Sequence, residues 1–178
     1  YPMLRSWGGE FAIAGQMQQR PVSREGGMFK KKWFPIIDAK DVPPGGQLVR
    51  GWDIAATSKK QNPRAAYTAG VLMKVVGGVL YILNVVRERK DEAAVEMWIK
   101  SVVEADGPRV IQDFPQDPAS AGKILKKSLA ILLEGYTVKF STESGEKTNR
   151  AIPLATKGDI GLIRVVAGDW NDAYISEI

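Results

Sequence analysis

Asp53 lies in an apolar stretch, RGWDIAATSKK at residues 50–60, that is otherwise typical of a buried strand. A carboxylate in such a position is unfavourable unless it is paired, hydrogen-bonded or bound to a metal ion. A second acid, Asp117, occurs in the segment PQDPASAGK at residues 115–123. If folding brings the two carboxylates together, they repel each other unless a cation lies between them. The pair therefore indicates a site for a divalent metal ion.

The composition limits what such a site can contain. The 178 residues include no Cys and no His, which excludes disulfides, thiol nucleophiles, common zinc sites and Ser-His-Asp triads. Any metal must be held by oxygen atoms, which favours magnesium, manganese or calcium. The net charge of +5 suits a polyanion such as nucleic acid, although a basic protein without such a partner is an open alternative. No apolar run is long enough to cross a bilayer, so we expect no membrane partner.

Hydrophobic periodicity predicts the elements that must position the acids. Residues 1–46 contain several Gly and Pro pairs and are interpreted as an arm or linker, packed on a domain that covers residues 47–178. Strands are predicted in QLVRGWDIAA, on both sides of Gly77-Gly78, and in RVIQDF, YTVKFST and LIRVV. Helices are predicted over 91–106 and 118–135, in SGEKTNRAIPLATKGDIG with an interruption around Pro153, and in NDAYISEI.

This order, a leading hairpin followed by alternating strands and helices, predicts an α/β fold. The sheet is mixed, with an antiparallel hairpin and then parallel strands, and helices flank its faces. The apolar residues predicted to face inward are Val95, Trp98, Val102 and Val103 in the first helix, and Ile124, Leu125, Leu129 and Leu132 in the second. The first helix connects the first and fourth strands by a right-handed crossover, so these two strands should be parallel neighbours.

The carboxyl ends of neighbouring parallel strands open on one crevice, where ligands bind. Asp53 ends the first strand and Asp117 follows the fourth, so both should reach this crevice. Alternation places Gly51 and Asp53 on one side of the strand and Arg50 and Trp52 on the other, which leaves room beside the carboxylate for an ion and a phosphate.

Structural roles for the same acids remain open at this point. Asp53 could cap the turn that follows its strand. Asp117 precedes Pro118 and fits the N-cap of helix 118–135, which the residues alone favour over a metal ligand. Asp113 is a further acid, but its alternation with Ile111 suggests that it points elsewhere.

Several segments, in this order along the chain, resemble the nuclease domain of the large terminase subunit of tailed bacteriophages. They are GWDIAAT, YTAGVL, LYILNVVRER, QDPASAGK and RAIPLATKGDIGLIRVVAGDWNDAYISEI, and FAIAGQMQQRPVSREGGMFKKKWF resembles the linker after the ATPase domain of that family. The resemblance implies a ribonuclease-H-like fold. It also implies an endonuclease that cuts concatemeric viral DNA during genome packaging, in the cytoplasm of the bacterial host of a phage or prophage.

The resemblance also implies the site. Asp53 matches the acid of the GWD motif, and Asp117 matches the second acid, five residues before Gly122. Both would bind two Mg²⁺ or Mn²⁺ ions for phosphodiester hydrolysis, with Asp113 as a less favoured ligand. The third acid of the family would lie beyond residue 178, so the resemblance implies a truncated domain that can be inactive in isolation. The implied partners are double-stranded DNA, the ATPase domain of the same parent protein, the small terminase subunit and the portal.

Basic residues near these acids are candidates for binding the DNA backbone. They are Lys59, Lys60, Lys123, Lys126, Lys127, Lys147 and Arg150. Each one, taken singly, is better explained as a solvated surface charge, and phosphate contacts of this kind carry little sequence information. Two alternatives to the terminase nuclease remain. One is another ribonuclease-H-like enzyme, such as a junction resolvase or an integrase core, and the other is a non-catalytic DNA-binding module of the packaging machine.

Overall fold

The computed structural model describes residues 28–55, 67–116, 120–142 and 147–178. Within them the strands are β1 (Ile36–Ile37), β2 (Val49–Asp53), β3 (Thr68–Val76), β4 (Val79–Glu88), β5 (Ile111–Gln116), β6 (Thr137–Thr142) and β7 (Ile163–Val166). The helices are α1 (Glu92–Asp106), α2 (Ser120–Leu132), α3 (Lys147–Asp159) and α4 (Asn171–Glu177). In this part of the chain, no helix has the length and apolar character that a membrane crossing requires.

The strands form one mixed sheet in the order β1-β7-β4-β3-β2-β5-β6. β2, β3 and β4 are antiparallel neighbours, whereas β5 is parallel to β2, β6 to β5, and β7 to β4. This confirms the predicted α/β class, the order of the elements from residue 47 onward and the parallel pairing of the first and fourth predicted strands. β1 was not predicted, because it lies in the segment interpreted as an arm. The hairpin turn lies at the predicted Gly77-Gly78, where φ values of 56° and 81° favour glycine at both positions.

Helices α1 and α2 pack on one face of the sheet, over Trp52 and Phe114. Their buried residues include Val95, Ile99, Val103 and Leu129, and the buried Leu133 follows α2 directly. The first helix begins where the Asp91 side chain accepts a hydrogen bond from the Ala94 amide at 3.3 Å. The prediction that Ile124 faces inward is wrong, since Ile124 is 72% exposed. The predictions for Leu125, Leu129 and Leu132 are confirmed, because all three belong to or pack against the first core.

Helices α3 and α4 contribute to a second core on the opposite face. There Leu154, Trp170 and Tyr174 pack with a cluster of buried residues, which are Phe34, Leu80, Ile82, Ile163 and Val165. The predicted interruption of α3 is wrong, because the helix runs through Pro153 from Lys147 to Asp159.

Two parts of the segment interpreted as an arm contact the elements around the second core, namely β7 and α3. Ile36–Ile37 forms an edge strand parallel to β7. The Trp33 ring packs so closely on Gly158 that a Cβ at that position would lie 2.7 Å from it.

A buried polar network joins the first core to the centre of the sheet. Arg50 is 2% exposed and makes a bidentate ion pair with Asp106 at the end of α1, with N–O distances of 2.6 and 2.8 Å. Its guanidinium also donates to the Gly70 carbonyl at 3.0 Å and to Asn84 Oδ1 at 3.1 Å. Gln112 extends the network, because it donates to Asp106 at 3.0 Å and accepts from Trp52 Nε1 at 2.9 Å.

We expect Arg50→Met to lower the free energy of unfolding by about 3 kcal/mol, because it leaves Asp106 buried without its counter-ion. The measurement is urea unfolding followed by tryptophan fluorescence. The matched control is Lys100→Met, which breaks an exposed pair with Glu104 on the same helix, where the N–O distance is 4.0 Å. That change should alter stability by less than about 0.5 kcal/mol. Equal effects of the two substitutions would contradict the structural role of the network.

The second core predicts a loss of stability at alkaline pH. Tyr174 lies between Phe34 and Trp170, with ring centroids 6.2 and 5.7 Å away, and burial raises the pKa of Tyr174 to about 12. Tyrosine in the unfolded chain ionises near pH 10, so this contribution is complete below pH 10 and is lost as the pH rises through about 12.

We therefore expect the free energy of unfolding to fall between about pH 10 and 12, with up to about 2 kcal/mol of the fall due to Tyr174. The measurement is the difference between the wild type and Tyr174→Phe in unfolding experiments across this range. A parallel decline in both proteins would show that Tyr174 contributes nothing to it.

Candidate metal and nuclease site

The exposed carboxylate of Asp53 is the centre of the candidate site. It ends β2, where burial alternates so that Arg50 and Trp52 are buried and Asp53 is exposed on the other face. Ala69 is its partner on β3, and Gly51 precedes it on the same face. Because both neighbours are small, a bulky group such as a phosphate can approach the carboxylate.

Asp113 lies on the same face as Asp53. β5 is parallel to β2 and pairs Asp113 with Gly51, so the Asp53 and Asp113 side chains project from the same side of adjacent strands. From strand spacing and rise, their Cα atoms are about 8 Å apart. The interpretation that Asp113 points elsewhere is therefore wrong. Ile111 and Asp113 do lie on the same side of β5. However, Ile111 pairs with Val49, which lies on the Asp53 face of β2, so Asp113 lies on that face as well.

The carboxylate of Asp113 is oriented by β6. The Ser141 hydroxyl donates to Asp113 Oδ1 at 2.6 Å, and Lys139 is the direct partner of Asp113 in the sheet. Neither residue was singled out from the sequence. A signal for them was present, because Thr137, Lys139 and Ser141 alternate with Val138 and Phe140 and so predict a polar face on this strand.

Asp117, the other sequence-predicted ligand, lies outside the described residues. β5 ends at Gln116, immediately before it, and α2 begins at Ser120. Neither the metal-ligand role nor the N-cap role of Asp117 is therefore tested.

The described acids fit a hard divalent cation in ligand type. Asp53 and Asp113 offer carboxylate oxygens, the ligands that magnesium and manganese prefer. Within residues 28–55, 67–116, 120–142 and 147–178 there is no cluster of three or more acidic, His or Cys side chains that could hold a metal ion. The described part of the site thus brings two carboxylates to one open face, and a complete coordination sphere needs further ligands.

The basic residues predicted to bind DNA are dispersed. Lys123 and Lys127 are exposed on α2, which covers the face opposite Asp53. Lys126 reaches the end of β5, where its ammonium donates to Gln116 Oε1 at 3.4 Å and lies 5.1 Å from the Phe140 ring centroid. Arg150 is exposed on α3. Lys59, Lys60 and the side chain of Lys147 lie outside the described part of the chain.

One family model matches most of the chain. A model of the terminase RNaseH-like domain matches residues 50–178, which include both Asp53 and Asp113. No curated protein sequence is a significant match.

Several solved structures share the fold. The nuclease domain of the P22 large terminase aligns with a TM-score of 0.57 and 13% identity, over 78% of this chain and 70% of that one. The large terminase nuclease of the thermophilic phage G20c with bound magnesium aligns with a TM-score of 0.56 and 12% identity, over 84% of this chain and 77% of that one. The manganese-soaked, inhibitor-bound terminase nuclease domain of human cytomegalovirus aligns with a TM-score of 0.51 and 12% identity, over 74% of this chain and 72% of that one. The TM-scores show a common fold, and the matching family model identifies it as the ribonuclease-H-like fold expected from the sequence.

Proposed function

Because the chain belongs to the terminase RNaseH-like domain family, we propose that it is the DNA-cleaving domain of a phage large terminase subunit. Its activity would be endonucleolytic cutting of concatemeric viral DNA during genome packaging, in the cytoplasm of the bacterial host. The observation that carries the proposal is the exposed Asp53 carboxylate, which shares one open sheet face with Asp113 on the neighbouring parallel strand. Such an arrangement suits binding of a cation next to a phosphodiester.

The proposed ligands for Mg²⁺ or Mn²⁺ are Asp53 and Asp117, and Asp113, on the same face as Asp53, is a less favoured ligand. Solved structures of the same fold include one with bound magnesium and one soaked with manganese, which supports a divalent cation here. A cation held by these carboxylates would supply charge neutralisation at the scissile phosphate and would lower the pKa of a bound water. The chain contains no His, so acid–base chemistry falls to carboxylates, Lys, Tyr or bound water.

Other residues of this face would control the approach of DNA. Gly51 and Ala69 leave space beside Asp53, and Ser141 fixes the orientation of Asp113 through its 2.6 Å hydrogen bond. The basic residues singled out from the sequence remain proposed contacts to the backbone, although Lys123 and Lys127 belong to α2, on the opposite side of the sheet. They are Lys59, Lys60, Lys123, Lys126, Lys127, Lys147 and Arg150. In the parent protein, the ATPase domain, the small terminase subunit and the portal are the proposed partners.

The central test is nicking of supercoiled plasmid in Mn²⁺. We expect Asp53→Asn to reduce the nicking rate by more than about a hundredfold, because it removes a ligand charge while preserving the shape of the side chain. Asp113→Asn should reduce it less, by roughly tenfold, if Asp113 orients rather than binds. The matched control is Asp38→Asn, an aspartate 65% exposed in a segment at the other edge of the sheet, and it should nick like the wild type.

A second readout does not depend on activity. Mn²⁺ that binds only the folded protein raises its melting temperature, and Asp53→Asn should abolish this shift whereas Asp38→Asn should keep it. DNA binding without nicking, unchanged by Asp53→Asn and insensitive to chelators, would contradict the proposal. It would favour the non-catalytic DNA-binding module instead.

A further inference from the structure

Tyr67, Arg87 and Arg89 form a compact cluster on the Asp53 face of the sheet. Arg87 pairs with Ala69, and Ala69 pairs with Asp53, so the arginine lies two strands from the carboxylate on the same side. From strand spacing, the Cα atoms of Arg87 and Asp53 are about 10 Å apart. Neither arginine was among the basic residues singled out from the sequence.

The Tyr67 ring holds both guanidinium groups. The Arg87 and Arg89 Cζ atoms lie 4.6 and 3.9 Å from its ring centroid, within the range of cation–π attraction. Because guanidinium groups already lie over this ring, it is not an open platform on which a base could stack. Its role is to orient two positive charges.

Arg89 has an unmet hydrogen-bonding requirement. Its Nε is buried and has no hydrogen-bond partner among the residues that the structure describes. A buried donor without an acceptor is unfavourable, and such a group is often explained by an anion or water that completes the site. A phosphate oxygen would be a charged acceptor of the type that guanidinium groups bind best.

The ion-pair partner of Arg87 can be replaced by another anion. It forms an ion pair with Glu177 of α4, whose side chain is 62% exposed. An ion pair this exposed is worth little, so an incoming phosphate can compete with the glutamate for the guanidinium.

We propose that Arg87 and Arg89, oriented by Tyr67, bind a backbone phosphate of the DNA next to the one cleaved at Asp53, in competition with Glu177. The inference rests on the proposed nuclease function and adds to it the residues that position the substrate.

The test is fluorescence anisotropy with a labelled double-stranded oligonucleotide, without divalent metal, over a series of salt concentrations. Arg87→Ala and Arg89→Ala should each raise Kd by about tenfold, the equivalent of one charge-assisted hydrogen bond. Each should also reduce the salt slope by about one. Lys100→Ala is the matched control, because it removes one charge from α1 on the opposite face and should change Kd by less than about twofold.

Removing the acidic partner of an ion pair should change Kd in the opposite direction, and the two pairs compared are Arg87–Glu177 and Lys100–Glu104. Glu177→Gln should lower Kd by roughly threefold or more, because it frees Arg87, whereas Glu104→Gln on α1 should have a smaller effect. Tyr67→Leu keeps all charges but removes the ring, so it should weaken DNA binding. Tyr67→Phe keeps the ring and should bind DNA like the wild type. If an alanine variant fails to fold, Arg89→Lys should still raise Kd with an unchanged salt slope.

The outcomes separate this inference from the proposed function. If Asp53→Asn abolishes nicking while both arginine variants bind DNA like Lys100→Ala, the nuclease proposal stands and the phosphate site is wrong. If Glu177→Gln weakens binding, the competition is also wrong. If the wild-type protein binds no DNA, both proposals fall.

Discussion

The buried guanidinium of Arg50 is the constraint on which the architecture depends. A charge that is 2% exposed must have all its donors satisfied, and here the acceptors come from Asp106, Gly70 and Asn84, which belong to α1, β3 and β4. Gln112 links the same Asp106 to Trp52 and thereby adds β5. A slip of β2 against β5 would break several of these bonds at once. The register that pairs Gly51 with Asp113 is therefore fixed from the face opposite the candidate site.

The two faces of β2 and β5 differ in role, since one packs against a core and the other carries the candidate site. Below β2 and β5, the rings of Trp52 and Phe114 stack with centroids 5.7 Å apart and planes inclined by 7°, which gives the strands a rigid base. Above them, Asp53 is exposed and Asp113 is partly exposed, whereas Val71 of β3 and Val85 of β4 pack, like residues of α4, against the second core. The site occupies the part of the sheet where one face has a packed core and the other carries polar residues.

The sequence predicted what local periodicity and turn chemistry determine. The order of strands and helices followed from apolar spacing and the hairpin from Gly77-Gly78. Alternation within β2 predicted that Asp53 lies on the side opposite Arg50 and Trp52. Contacts between distant segments could not be predicted in this way. The partner of Arg50 is 56 positions away, and the direction of Asp113 depends on register against β2 rather than on its own strand. Ile124 and Leu125 are adjacent apolar residues, and only packing against the sheet decides which one is buried.

Electrostatics explain why acids and arginines must share this face but remain apart. A carboxylate that holds a cation repels a phosphodiester until the cation is in place, so a separate positive charge is needed to bring DNA to the site. If that charge were adjacent to Asp53, it would pair with the carboxylate and displace the metal ion. In this sheet Ala69 of β3 lies between Asp53 on β2 and Arg87 on β4, and Arg87 forms an ion pair with Glu177 of α4. This separation by one strand, which carries a small residue between them, would allow the proposed cation site and the proposed phosphate site to coexist on the same face of the sheet.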